Sequence, residues 1–112
     1  MGSMTRVRAY SFSPTQAYKI TKAAMNMLTA QWAMALESEG FTVLAITPGW
    51  LKTDLGSQNA DLLVEVGVES VKKIILDAKT SDNGKFRNIQ VHGWEKDKVD
   101  GSNYYEGEEV PW

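Results

Sequence analysis

A tyrosine and a lysine four residues apart, Tyr18 and Lys22, are the residues of this chain best suited to move a proton. On a helix, side chains at i and i+4 leave the same face, one above the other. A free phenol titrates near pH ~10, too high for efficient proton exchange at neutrality. An ammonium within a few ångströms favours the phenolate and brings such a pair toward working pH. Alone, the spacing is weak evidence, because most such pairs on helices are solvated edges. Its meaning depends on the elements that position it.

Ser13-Pro14 makes a good helix start, with a capping hydroxyl and a proline at the first helical position. Residues 14–39 then read as one helix with two apolar stripes. Ala17, Ile20, Ala24, Leu28 and Ala35 form one, interrupted by Gln31; Ala23, Met27, Ala30 and Met34 form the other, and Trp32 and Leu36 widen the apolar surface. A helix apolar on two sides needs two covers, expected to be the sheet and a second subunit. Gly40 supplies the stop. Residues 41–47 (FTVLAIT) form a continuous β-prone run, as in a strand buried on both faces. Pro48-Gly49 ends it, and residues 50–60 read as a polar loop. Helical spacing returns over residues 67–79 through Val68, Val71, Ile74 or Ile75, and Ala78. Ser81-Asp82-Asn83-Gly84 is a turn, and residues 85–91 (KFRNIQV) form a last strand. Beyond Gly93 the chain reads as a polar tail. Thr5 to Phe12 alternates weakly and suits a short strand or a loose arm. The order argues an α/β protein with parallel strands and right-handed crossovers.

At 112 residues the chain is one domain at most. Met1-Gly2-Ser3 ahead of Met4 reads as a cloning scar, leaving residues 4–112 as a single domain. The net charge of −2 gives no pull toward nucleic acid or anionic lipid. The absence of cysteine removes disulfides, thiol nucleophiles and thiolate metal sites together. With His92 as the single histidine, no metal site is expected. No run spans a bilayer and no signal peptide opens the chain, so a cytoplasmic location is the default. The four tryptophans read as core or interface. His92 reads as a surface residue, and Asp97, Asp100, Glu106, Glu108 and Glu109 as solvated carboxylates.

The segment AYKITKAAMNMLT, a buried strand and ITPGWLKTDLG together resemble the short-chain dehydrogenase/reductase family. VESVKKIILDA resembles that family's next helix, GKFRNIQVHGWE its final strand, and the terminal EVPW is similar to C-factor and sniffer-like carbonyl reductases, especially fungal ones. The resemblance covers residues 14–112 and implies a truncated Rossmann-like three-layer sandwich with few parallel strands. It implies that Tyr18 exchanges the proton at the substrate oxygen. It likewise implies that Lys22 lowers the tyrosine pKa and holds the nicotinamide ribose. Pro48, Gly49 and Trp50 would line the nicotinamide side, and Thr53 would help hold the carboxamide or phosphates.

The departures matter as much. The family's opening strand, glycine-rich turn and helix, which form the first dinucleotide-binding βαβ half, have no counterpart here, nor does its asparagine-rich motif. Thr5 falls near the spacing of the catalytic serine but in unlike surroundings, and Ser11 and Ser13 are too close to Tyr18. Pyrophosphate binding draws on that missing half, so the isolated chain is expected to hold no dinucleotide. NADP or NAD belongs to a completed site. Three readings stay open. One is redox-neutral proton transfer on a small-molecule substrate (isomerase, dehydratase or cyclase) by Tyr18 and Lys22. Another is an NAD(P)H-dependent oxidoreductase for carbonyls or alcohols, seen as a fragment. The third is a non-catalytic module. The expected partners are a second copy, in a homodimer or higher oligomer through the helix at 14–39, or a full-length relative.

Overall fold

In the computed structural model, residues 15–99 and 103–112 are described. Helix α1 spans Gln16–Ala35 and helix α2 Val64–Asp77; strands β1, Ala45–Thr47, and β2, Phe86–Asn88, pair in parallel with Ala45 opposite Phe86 and Thr47 opposite Asn88. The expected α/β alternation with a parallel sheet is therefore present. The strand or arm expected at Thr5 to Phe12 lies outside the described residues.

Helix α1 ends earlier than the expected residue 39, whereas α2 begins three residues before the expected 67 and ends two before 79. After Ala35 the chain tightens into a 3-10 turn, Glu37–Glu39, and Gly40 closes it at φ +80°. The turn read at residues 81–84 does more than reverse the chain. Asn83 Nδ2 donates to the Ala33 carbonyl at 2.9 Å, and the Val43 N–H donates to Asn83 Oδ1 at 2.9 Å. One side chain thus fastens the end of α1 to the approach of β1.

The strand expected over residues 41–47 forms its ladder only at Ala45–Thr47. A three-residue partner can pair no more, and the Val43 carbonyl is already taken by the Gly84 N–H at 2.9 Å. Ala45 and Ile46 stay half-buried rather than sealed on both faces, because a two-stranded sheet shields less than a wide one.

Among the described residues, the sheet does not cover either apolar stripe of α1. Ile20, Met27, Leu28, Trp32 and Met34 are all exposed, and only Ala33 is buried. The least exposed face runs Tyr18, Lys22, Asn26, Thr29 and Ala33. Neither apolar stripe faces the sheet.

Helix α2 turns Gly67, Ser70, Val71 and Ile74 inward. At Gly67 a Cβ would meet the Pro48 carbonyl oxygen at 3.1 Å, so glycine lets α2 press onto the exit of β1. That close approach offsets the roughly 1 kcal/mol that glycine costs inside a helix.

The core is Leu62, Ile89 and Tyr105, with Ile46, Leu51, Val71, Ile74, Val91 and Trp94 packed against it. Tyr105 corrects the reading of residues 94–112 as a polar tail. Residues 105–110 lie along the outer edge of β2: the Asn88 N–H donates to the Glu108 carbonyl at 2.9 Å, and the Val110 N–H to the Phe86 carbonyl at 2.7 Å. Trp112 stacks on Phe86 with centroids 5.6 Å apart. Backbone pairing, anchored by buried aromatic and aliphatic side chains, converts a polar sequence into an edge cover.

Candidate active site

Tyr18 and Lys22 sit one turn apart on the least exposed face of α1, both half-buried. Lys22 Nζ lies 5.4 Å from the centroid of the Tyr18 ring, so the ammonium stands over the aromatic face. Its one hydrogen-bond partner among the described residues is the weak acceptor Met25 Sδ at 3.8 Å. The Tyr18 carbonyl accepts from Thr21 Oγ1 at 2.8 Å. The pair thus holds the expected i, i+4 geometry, and among the described residues its side chains make no hydrogen bond outside α1.

The second group of candidates follows β1 directly. Pro48 is half-buried, Gly49 buried at φ +81°, and Trp50 half-buried. The loop beyond them is closed rather than loose. Leu51 and Leu62 form a parallel bridge, the Lys52 N–H donates to the Leu62 carbonyl at 2.8 Å, and the Leu62 N–H to the Trp50 carbonyl at 3.1 Å. Thr53 is exposed, and its Oγ1 accepts from the Gly56 N–H at 2.9 Å. The Thr53 hydroxyl proton remains available to donate. No hydrogen bond among the described residues joins Tyr18 or Lys22 to this turn. Thr5, Ser11 and Ser13 lie outside the described residues.

Sequence reasoning missed a cluster that holds the turn. The Tyr105 hydroxyl donates to Asp61 Oδ2 at 2.6 Å and accepts from the Trp50 N–H at 3.1 Å. Asn103 Nδ2 donates to the same carboxylate oxygen at 2.8 Å. Asn88 Nδ2 donates to both the Tyr104 carbonyl and Glu108 Oε1 at 2.9 Å. The one available signal was a tyrosine pair inside a polar segment, since a large aromatic with a polar tip tends to be an anchor.

The bland readings fare unevenly. The His92 side chain is 95% exposed beside Glu95, as a surface residue should be. Glu106 and Glu108 are not merely solvated: Glu106 Oε1 accepts from the Lys96 N–H at 2.9 Å, and Glu108 accepts from Asn88. No helix among the described residues is long and apolar enough to cross a membrane.

A family model described as enoyl-(acyl carrier protein) reductase matches residues 1–82. The chain belongs to the short-chain dehydrogenase/reductase family. It is 30% identical over 96 residues to the C-signal of Myxococcus xanthus, covering 86% of this chain and 48% of that one. A short-chain dehydrogenase/reductase of Arthrinium, atnB, is 40% identical over 53 residues, which is 47% of this chain and 20% of that protein. Among solved structures, the carbonyl reductase Sniffer of D. melanogaster superposes with a TM-score of 0.70 at 25% identity, over 75% of this chain and 34% of its own. An NADPH-bound carbonyl reductase from chicken fatty liver gives 0.67 at 31% identity, over 76% and 35%. These likenesses bear out the resemblance to C-factor and sniffer-type proteins and the Rossmann-like fold. The chain spans about half the length of the C-signal and about a third of the two carbonyl reductases. Besides the C-signal, relatives from Arthrinium, Talaromyces stipitatus and Schizosaccharomyces pombe carry the names of short-chain dehydrogenase/reductases or oxidoreductases.

Proposed function

We propose that this chain supplies the proton-transfer side of an NAD(P)-dependent oxidoreductase acting on a carbonyl or alcohol. The observation that carries the reading is Tyr18 and Lys22 held together on the least exposed face of α1 in a chain of this family. Helix rise sets Tyr18 roughly 25 Å back from the end of α1, and residues 41–48 extend about 23 Å. A helix lying antiparallel to β1 would bring the phenol level with the Pro48 turn.

The residues fit the nicotinamide end by their donor set. Lys22 Nζ has donors open for ribose hydroxyls, and the Thr53 hydroxyl can donate to a carboxamide or phosphate oxygen. The Trp50 N–H is already held by Tyr105 and contributes position rather than a bond. A bound nicotinamide would give a hydride to the carbonyl carbon, or take one from the alcohol. Tyr18 would donate its phenolic proton to the carbonyl oxygen in reduction and recover it in oxidation. The small-molecule substrate and the dinucleotide both belong to this reading.

The test pairs titration with turnover. Calorimetry with NADPH and NADH, run with a full-length relative that can supply the pyrophosphate-binding half, should show micromolar binding for one of them, and Tyr18→Phe should lower carbonyl reduction by about 100-fold or more while leaving that binding intact. A wild-type assembly of that kind that binds neither dinucleotide at millimolar concentration would defeat the proposal. Turnover that depends on Tyr18 without added nucleotide would replace it with the redox-neutral reading. Indifference to Tyr18→Phe in every assay would favour a non-catalytic module.

A further inference from the structure

We infer that Tyr105 and Asp61 are positioning residues for the turn at Pro48, Gly49 and Trp50, so that the C-terminal segment sets the geometry of the candidate site. Its use for nicotinamide rests on the proposed redox reading, but the clamp itself does not. Two observations support it independently. The first is hydrogen bonding: the buried Tyr105 hydroxyl accepts from the Trp50 N–H at 3.1 Å while donating to Asp61 Oδ2 at 2.6 Å. A phenol fixed by a charged acceptor has its lone pairs directed, which makes it a better-placed partner for an amide than water. The second is packing: at Gly49 a Cβ would lie 3.1 Å from Tyr105 Cε1, so the ring is seated against the turn's own backbone.

The clamp also has a fixed base. Asn88, at the end of β2, donates to the Tyr104 carbonyl, and the Val91 N–H donates to the Tyr105 carbonyl at 2.9 Å. Asn103 Nδ2 orients the Asp61 carboxylate from the other side. The sheet therefore holds the C-terminal segment, the segment holds the phenol, and the phenol holds the Trp50 amide. Trp50 is left with its side chain half-buried and its backbone N–H satisfied, which is how a turn is kept ready before a ligand arrives.

The test uses the whole chain and reads single amides by hydrogen exchange. Tyr105→Phe removes one oxygen from a ring that still fits. It should speed exchange of the Trp50 amide by about 3–10-fold, the loss of one hydrogen bond. Asp61→Ala should do the same, and Asp61→Asn, which keeps an acceptor for the phenol, should stay near wild type. The amides of Gly107 and Val110, which bond Ile89 and Phe86, should not change. Unaltered Trp50 exchange in Tyr105→Phe would overturn the inference, and so would a uniform rise across the β2 amides, which marks loss of packing alone. NADPH titration of the same proteins, run with that full-length relative, separates this from the redox reading. Weaker binding in Tyr105→Phe than in wild type supports both. Equal binding with a freed Trp50 amide overturns the positioning role. A wild type that binds no NADPH defeats the redox reading, while exchange still decides the clamp.

Discussion

Gly49 joins strand exit, core and C-terminal segment at one backbone position. Its φ of +81° is costly for any residue with a Cβ, and that Cβ would lie 3.0 Å from Leu62 Cδ1 and 3.2 Å from Ile89 Cδ1. Gly40 has nearly the same φ, +80°, with no atom within 4 Å of the same built Cβ. The two positions therefore separate backbone strain from crowding. Gly40→Ala should cost about 1 kcal/mol for the left-handed conformation, and Gly49→Ala about 2–4 kcal/mol, because overpacking adds to it. Urea denaturation of the two variants checks this; equal losses would mean that the core yields at Gly49. Tyr18, Lys22, Pro48 and Gly49 could be named as candidates because spacing and family resemblance together single them out within short stretches of sequence. Asp61 and Tyr105 stayed hidden because their role comes only from meeting across 44 positions of chain.

At the scale of elements, the turn between α2 and β2 links both helices to the sheet. Asp82 organises it. The Lys79 N–H donates to Asp82 Oδ2 at 3.0 Å, and Lys85 Nζ stands 3.1 Å from Asp82 Oδ1, with Arg87 at 3.5 Å. The Lys79 amide chiefly, then the Lys85 ammonium, hold this carboxyl below the ordinary carboxylate range. A pKa lowered in the folded state contributes stability above the unfolded value and loses it as pH falls through the folded one. Asp82→Asn should thus destabilise the protein at pH 7, and the gap from wild type should close in acid below the usual carboxylate range. Thermal melts across that interval read it; a gap constant with pH would show that charge is not what holds the turn. The sequence announced this turn and both helices through spacing and breakers. It overstated β1, because an apolar run records what a strand can bury, whereas strand length is set by its partner. It also missed the edge cover over β2, whose pairing is made by backbone groups that composition does not report.

At the scale of the whole molecule, α1 poses a packing problem that the described residues do not solve. Its apolar side chains Ile20, Met27 and Met34 are 69%, 62% and 71% exposed, while its half-buried face carries Tyr18, Lys22, Asn26 and Thr29. Exposed Ile20, Met25, Met27, Leu28, Trp32 and Met34 on one long helix are an apolar surface of the kind that marks association. Met and Ala side chains there would let a second helix approach closely and fill irregular gaps. The free edge of β1 offers a second route, since β2 is its one strand partner among the described residues. We expect the helix to dominate, because it presents side-chain area along about 30 Å, against three residues of strand. Sedimentation velocity should then show a mass at least twice the 12.5 kDa of one chain. Met27→Glu combined with Met34→Glu should return it to monomer with helical circular dichroism retained. Continued association of that double variant would shift the contact to the β1 edge. A monomeric, cooperatively folded wild type in dilute solution would show that α1 tolerates water along its apolar side, and the association would be withdrawn.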